Sequence, residues 1–205
     1  MFKSLSQYAP PGSTSWDWGI QEMSFASGKV AMMMGNGIPC ARRFYESKNF
    51  DLDWCEQPYP PDGIRGSINF CNDVCIFKQV KDRGNYEAVK KFISFMLRPE
   101  MVTIIENTEP MGFLPVTKAA CDYKGWWQHP MTAKFPAAAK RIIDSLQYGK
   151  LYGFEYGKPN PAIAGVAGSN ILAEIAQKVV VGEMSPEEAA RWGHEQIEKL
   201  SASVP

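Results

Sequence analysis

Apolar residues recur along this chain with two different periods, and the switches between them predict its elements. Trp16, Ile20 and Met23 stand at i, i+4 and i+7, one face of a short helix, with Gly28 where a left-handed C-cap would end it. Residues 30–34, Val-Ala-Met-Met-Met, form an unbroken apolar run between Lys29 and Gly35-Asn36-Gly37, the pattern of a strand buried on both faces. Pro39 is placed to open the next helix. Leu52 to Trp54 predicts a short strand, the turn-rich stretch 57–63 a reversal, and residues 69–78 another strand.

From Asn85 the period lengthens. Val89, Phe92, Ile93, Met96 and Leu97 share one helical face, and Pro99 closes that helix and starts a second carrying Met101, Val102, Ile104 and Ile105. Residues 111–116 read as a turn and a short extended piece. Pro136 opens a helix with Ala139, Ile142, Ile143 and Leu146 on its apolar face, closed by Gly149. Residues 151–168, rich in Gly and Pro, read as a long irregular connection, a kind of segment that is often functional. Ile171, Leu172, Ile175, Ala176, Val179 and Val180 predict an amphipathic helix ended by Gly182. Ser185-Pro186-Glu187-Glu188 is a capping box that starts a last helix buried through Ala189, Gly193, Ile197 and Leu200. Strands alternating with helices predict an α/β architecture.

Composition narrows the function. The 205 residues are enough for one large domain or two small ones, and 22 basic residues balance 22 acidic ones. With no basic run, the chain has no field to hold a phosphate backbone, so no nucleic-acid partner is expected. No apolar stretch approaches the ~20 residues of a membrane span. The first twelve residues lack the apolar core and cleavage site of a signal peptide. Either the chain is cytoplasmic, or an exporting segment lies upstream of it.

Five cysteines, Cys40, Cys55, Cys71, Cys75 and Cys121, contain no C-x2-C pair and do not amount to a disulfide scaffold; buried, inert thiols are expected. His129 and His194 lie far apart without ligand spacing, so no metal site is expected. Nucleophile elbows, P-loops and complete dinucleotide fingerprints are missing from the sequence, so no dinucleotide cofactor is expected. The carboxylates read as solvated helix faces, although a spatial pair serving a carbohydrate hydrolase would leave no sequence mark.

A binding repertoire remains. Eleven Phe, eight Tyr and six Trp include Trp126, Trp127, Tyr152, Phe154 and Tyr156, set beside Gly and Pro in irregular segments. Flat rings in loops suit stacking on a sugar, with Asn and Asp supplying hydrogen bonds to hydroxyls; the same rings could equally seal a core edge. Gly35-Asn36-Gly37 follows the predicted strand 30–34, the position at which open α/β sheets receive ligands.

Five blocks in order carry a family resemblance: residues 25–32 (Phe-Ala-Ser-Gly-Lys-Val-Ala-Met), Pro58-Tyr59-Pro60, residues 87–96, residues 112–116 (Gly-Phe-Leu-Pro-Val) and residues 182–190. The chain resembles the extracellular solute-binding proteins of ABC importers, in the carbohydrate-binding group that includes the maltodextrin-binding protein, and specifically their carboxyl-terminal portion. The resemblance implies a two-lobe, doubly wound periplasmic-binding-protein-like α/β fold. Residues 1–73 and 121–205 would build the carboxyl-terminal lobe, and 74–120 would belong to the amino-terminal lobe. It also implies a non-enzymatic protein, periplasmic or tethered outside the cell, that delivers a sugar to the transmembrane subunits of an ABC permease.

Carried over residue by residue, the resemblance implies ligand contacts at Gly35, Asn36 and Gly37, at Asn69, Phe70, Asn72 and Asp73, at Gly112 and Phe113, and at Asn170. Trp126, Trp127 or Tyr156 would supply stacking. Where many relatives place a stacking Trp, this chain has Ile38, and the aromatic usual before the penultimate helix gives way to small residues at 167–170. A small sugar or polyol fits those changes better than a long maltodextrin. A portion of the fold would leave the helices of 86–107 uncovered, exposing Phe92, Ile93, Phe95 and Ile105; such a piece is expected to dimerise, swap that segment or repack it locally, and to bind ligand weakly by itself, the alternative being a fragment with no competent site.

Overall fold

The computed structural model describes residues 2–35, 42, 45–46, 52–70, 72–154 and 158–202. They form two compact units: Glu22–Leu151, and Met1–Gln21 with Tyr152–Pro205. The first elements in chain order are α1 (Phe2–Ser6), α2 (Trp18–Ala26), β1 (Ser67–Ile68), α3 (Lys78–Asp82) and α4 (Tyr86–Met96). Four more helices follow: α5 (Pro99–Glu106), α6 (Lys118–Cys121), α7 (Lys124–Trp127) and α8 (Pro130–Lys134). The chain continues with α9 (Pro136–Ser145), β2 (Gly149–Lys150), α10 (Ile163–Gly168), α11 (Ile171–Val180) and α12 (Pro186–Ala202).

Helices dominate the unit Glu22–Leu151. Proline stands in the first turn of α5, α8 and α9, where its missing N–H costs nothing and its fixed φ favours the helix. The core gathers Leu52, Met111, Trp126, Met131, Phe135, Ala138, Ala139 and Ile142, and Phe25, Trp54, Leu114, Trp127 and Ile143 pack against it. Met111 is fully buried with φ 65°, a left-handed residue forced by the tight reversal in which the Gly112 and Phe113 amides both donate to the Glu109 carbonyl. Burying Met111 offsets that backbone cost. β1 and β2 pair in parallel, Ser67 opposite Gly149 and Ile68 opposite Lys150.

In the other unit, α11 and α12 lie against each other, with Ile171, Val179 and Ala189 buried. Gly193 permits the approach, since a Cβ there would fall 2.2 Å from the Ile175 Cδ1. Gly182, at φ 81°, turns the chain out of α11. The capping box forms as the sequence predicts: the Ser185 amide donates to a Glu188 carboxylate oxygen at 2.8 Å, and the Glu188 amide to the Ser185 hydroxyl at 3.3 Å.

Several expectations need correction. Residues 30–34 are not a strand, and Met32 is 87% exposed. A run buried on both faces needs neighbouring strands and covering layers, and among the described residues the only sheet is the β1–β2 pair. Leu52 to Trp54 is also irregular, though Leu52 reaches the core. Ser67–Ile68 pair ahead of the predicted strand 69–78, whose described residues are irregular until α3 begins at Lys78. Part of the expected connection 151–168 is helix α10.

On α5 the buried face is Val102, Thr103 and Glu106, while Ile104 and Ile105 face solvent. Cys55 and Cys75 are exposed free thiols, not buried ones, because residues 52–77 carry little covering structure; Cys121 is free and half-buried. The α/β expectation survives only coarsely: the described residues are mostly helical with one short parallel pair. The helix expected to open at Pro39 lies outside the described residues.

Candidate functional site

The parallel pair organises the polar surface of the unit Glu22–Leu151. The Asn69 amide donates to the Lys150 carbonyl at 2.9 Å, and its side-chain Nδ2 donates to the Leu146 carbonyl at 3.5 Å. The same side chain lies over Gly149, and a Cβ there would sit 1.8 Å from Asn69 Nδ2. Asn69 is thereby fixed at the end of β1, with Phe70, 62% exposed, next to it. Asn72 and Asp73 follow on the surface.

Beside the pair sits a cluster that periodicity and motif gave no sign of. The Arg65 guanidinium lies 4.1 Å from the Tyr148 ring centroid, contacts the Tyr148 hydroxyl at 3.4 Å and pairs with Glu56 at 2.5 Å. This arrangement holds the Glu56 carboxyl below its usual range, chiefly through the Arg65 hydrogen bond, and the same bond raises Arg65. Burial, followed by the hydrogen bond with Glu56, raises the Tyr148 phenol, which stays protonated as a donor. A flat ring edged by a cation, an anion and a neutral hydroxyl can stack on a polar ring and bond its hydroxyls.

The two tryptophans take different roles. Trp126 is fully buried in the core, while Trp127 meets it edge-on at 4.9 Å and 85° and donates its indole N–H to the Cys121 carbonyl at 2.7 Å. Trp126 therefore presents no face to a solute here. Phe113 is half-exposed on the turn that Gly112 begins. Asn170 caps α11 with φ 57° and belongs to the other unit. Gly35 is half-buried, and Asn36, Gly37 and Tyr156 lie outside the described residues.

One acidic residue departs from the expected solvated faces. Glu106 is 3% exposed, and neither carboxylate oxygen completes a hydrogen bond. Burial pushes its pKa up to about 7, against a smaller downward pull from the Val116 amide. Thr103 Oγ1, one turn earlier on the same helix face, and Asn107 Oδ1, on the C-cap residue that follows Glu106, are also buried without partners. The Cys121 thiol is raised, first by its own burial and then by the charges of Asp122 and Glu106. His129 accepts the Met131 amide at Nδ1, 3.4 Å away, and is lowered by burial and then by Arg42. No group of three His, Cys, Asp or Glu among the described residues could hold a metal ion.

The sequence itself decides the family. A family model for bacterial extracellular solute-binding proteins matches residues 1–136. The chain belongs to that family. No curated protein matches it. As a solute-binding protein it takes a small-molecule ligand outside the cytoplasm for an ABC importer. No described helix is long and apolar enough to cross a membrane. Within this solute-binding protein the matched stretch takes in β1, the Arg65 side of the aromatic cluster, Phe113 and both tryptophans; Tyr148 lies beyond it.

Proposed function

We propose that this solute-binding protein takes a small sugar or polyol and delivers it to the transmembrane subunits of an ABC permease. The observation that carries the reading is the Arg65–Tyr148–Glu56 cluster next to Asn69 and the exposed Phe70. It joins flat apolar faces to charged and neutral hydrogen-bonding groups beside the parallel pair, with Arg65 and Tyr148 just ahead of β1 and β2 and Asn69 and Phe70 just after β1. Asn72 and Asp73 add partners for hydroxyls, and Gly35, Asn36, Gly37, Gly112, Phe113, Trp127, Tyr156 and Asn170 remain ligand contacts on the strength of the family resemblance.

The two-lobe arrangement belongs to the same reading, with 74–120 in one lobe and 1–73 and 121–205 in the other. So do the maltodextrin-binding-like subtype and periplasmic or membrane-tethered placement. Closure of lobes on the solute would leave a donor or acceptor unpaired against a wrong epimer, at roughly 1 to 3 kcal/mol for each such group. The solute is released unaltered. Isothermal calorimetry against monosaccharides, disaccharides and sugar alcohols tests the reading. Heat with one hydroxylated class, lost on Arg65→Ala, supports it. Heat only with amino acids or peptides overturns it, and silence toward the whole panel favours a chain without a competent site.

A further inference from the structure

Between Val74 and Arg98 no residue is buried, although the stretch carries Val74, Phe77, Phe92, Phe95 and Leu97, all 42–75% exposed. Helix α4 (Tyr86–Met96) turns only Val89, Ile93 and Met96 partly inward. Ala88, Phe92 and Phe95, at i, i+4 and i+7, make an exposed apolar stripe on the same helix. Lys91 and Arg98 run along one edge of that stripe, and the Arg98 guanidinium lies 5.3 Å from the Phe95 ring centroid. Lys91, Ser94, Phe95 and Arg98 border one shallow depression of about 540 Å³.

The charge of this stretch limits what can cover the apolar stripe. Residues 74–98 hold six basic side chains, Lys78, Lys81, Arg83, Lys90, Lys91 and Arg98, against Asp82 and Glu87, with Asp73 and Glu100 flanking them. The rest of the chain carries the excess of acids that brings the total to zero. Glu87 is already paired with Lys90 at 2.7 Å, so it does not offset Lys91 and Arg98. A second copy would set this cationic excess against itself, whereas an anionic partner complements it. An acidic peptide needs a groove to hold its side chains, and the depression here is shallow. A bilayer needs none: exposed rings sink to the headgroup boundary while Lys and Arg lay their stems along apolar surface and reach the phosphates. The family works outside the cytoplasm, beside the membrane that holds its importer.

We propose that α4 docks on an anionic bilayer surface. The Phe92 and Phe95 rings enter the headgroup boundary, Lys91 and Arg98 pair with lipid phosphates, and the remaining basic residues of 74–98 add long-range attraction. This inference does not rest on the sugar reading, because binding to vesicles is measured without solute.

Flotation of the full chain with phosphatidylcholine vesicles, with and without phosphatidylglycerol, tests it, alongside circular dichroism to confirm that each variant folds. The wild-type chain is expected to float with the phosphatidylglycerol vesicles, to stay behind with phosphatidylcholine alone, and to be released as salt rises. Lys91→Gln and Arg98→Gln should each weaken binding about fivefold, and together about twenty-five-fold. Phe92→Ser should weaken it about tenfold. Lys199→Gln, an exposed change on α12, should alter it by less than about twofold. Failure to bind phosphatidylglycerol vesicles at low salt, or binding that neither Lys91→Gln nor Phe92→Ser alters, overturns the proposal. So does capture by poly-glutamate without binding to vesicles, which assigns the face to an acidic protein instead.

Discussion

Asn69 rests directly on the backbone of Gly149, with the amide nitrogen 1.8 Å from where a Cβ would stand. Gly149 has an ordinary extended backbone, φ −66° and ψ 142°, so space alone demands glycine there. Gly149→Ala should push the Asn69 side chain off the Leu146 carbonyl and cost about 1–3 kcal/mol in urea unfolding. Added to Asn69→Ala, the same change should cost only a few tenths of a kcal/mol, because the obstructing amide has gone.

Glu106 makes stability depend on pH with a definite sign. Its carboxyl titrates near 4.5 when unfolded and at about 7 when folded, so the folded chain holds the proton over that interval. Below pH 4.5 both states are protonated and stability is complete; between 4.5 and 7 the unfolded state ionises first and stability falls. The full loss is ~3 kcal/mol, reached above pH 7. Glu106→Gln should flatten this part of the profile, measured as urea midpoint against pH.

The Ser185–Glu188 capping box can be tested by removing either side chain. Ser185→Ala should destabilise the unit containing α12 by ~1 kcal/mol in thermal or urea unfolding. Adding Glu188→Ala should cost less than its single effect, because the two bonds form reciprocally.

Ligand contacts are expected to separate from fold contacts. Phe70→Ala and Arg65→Ala should each weaken binding of the solute found by calorimetry about tenfold, with little change in unfolding midpoint, since both side chains are largely exposed. Trp126→Ala should instead cost about 3–5 kcal/mol of stability, because its ring fills the core.

What could be read from the chain alone divides by range. Helices α4, α11 and α12 follow their predicted bounds because their signals are local: apolar spacing, a proline or capping box at the start, Gly182 at the end. Residues 30–34 mislead because a buried strand depends on neighbours that the run does not specify. Trp126 and Trp127 are adjacent and chemically alike, yet packing fully buries one and leaves the other half-buried. Arg65 and Tyr148, 83 residues apart, meet only through the fold, so no local pattern marks them. Glu106 hides among exposed acids because the buried face of α5 is offset from Ile104 and Ile105.

The outward-facing Met32 has a consequence for life outside the cytoplasm. Oxidants there meet a thioether that holds no packing together, and its sulfoxide can form with little effect on folding. Met111 and Met131 sit in the core, where an added oxygen would disrupt packing, and they are shielded from the same attack. Peptide mass spectrometry after mild peroxide should find oxygen on Met32 well before either of them, so the molecule's oxidative wear begins where it matters least to its fold.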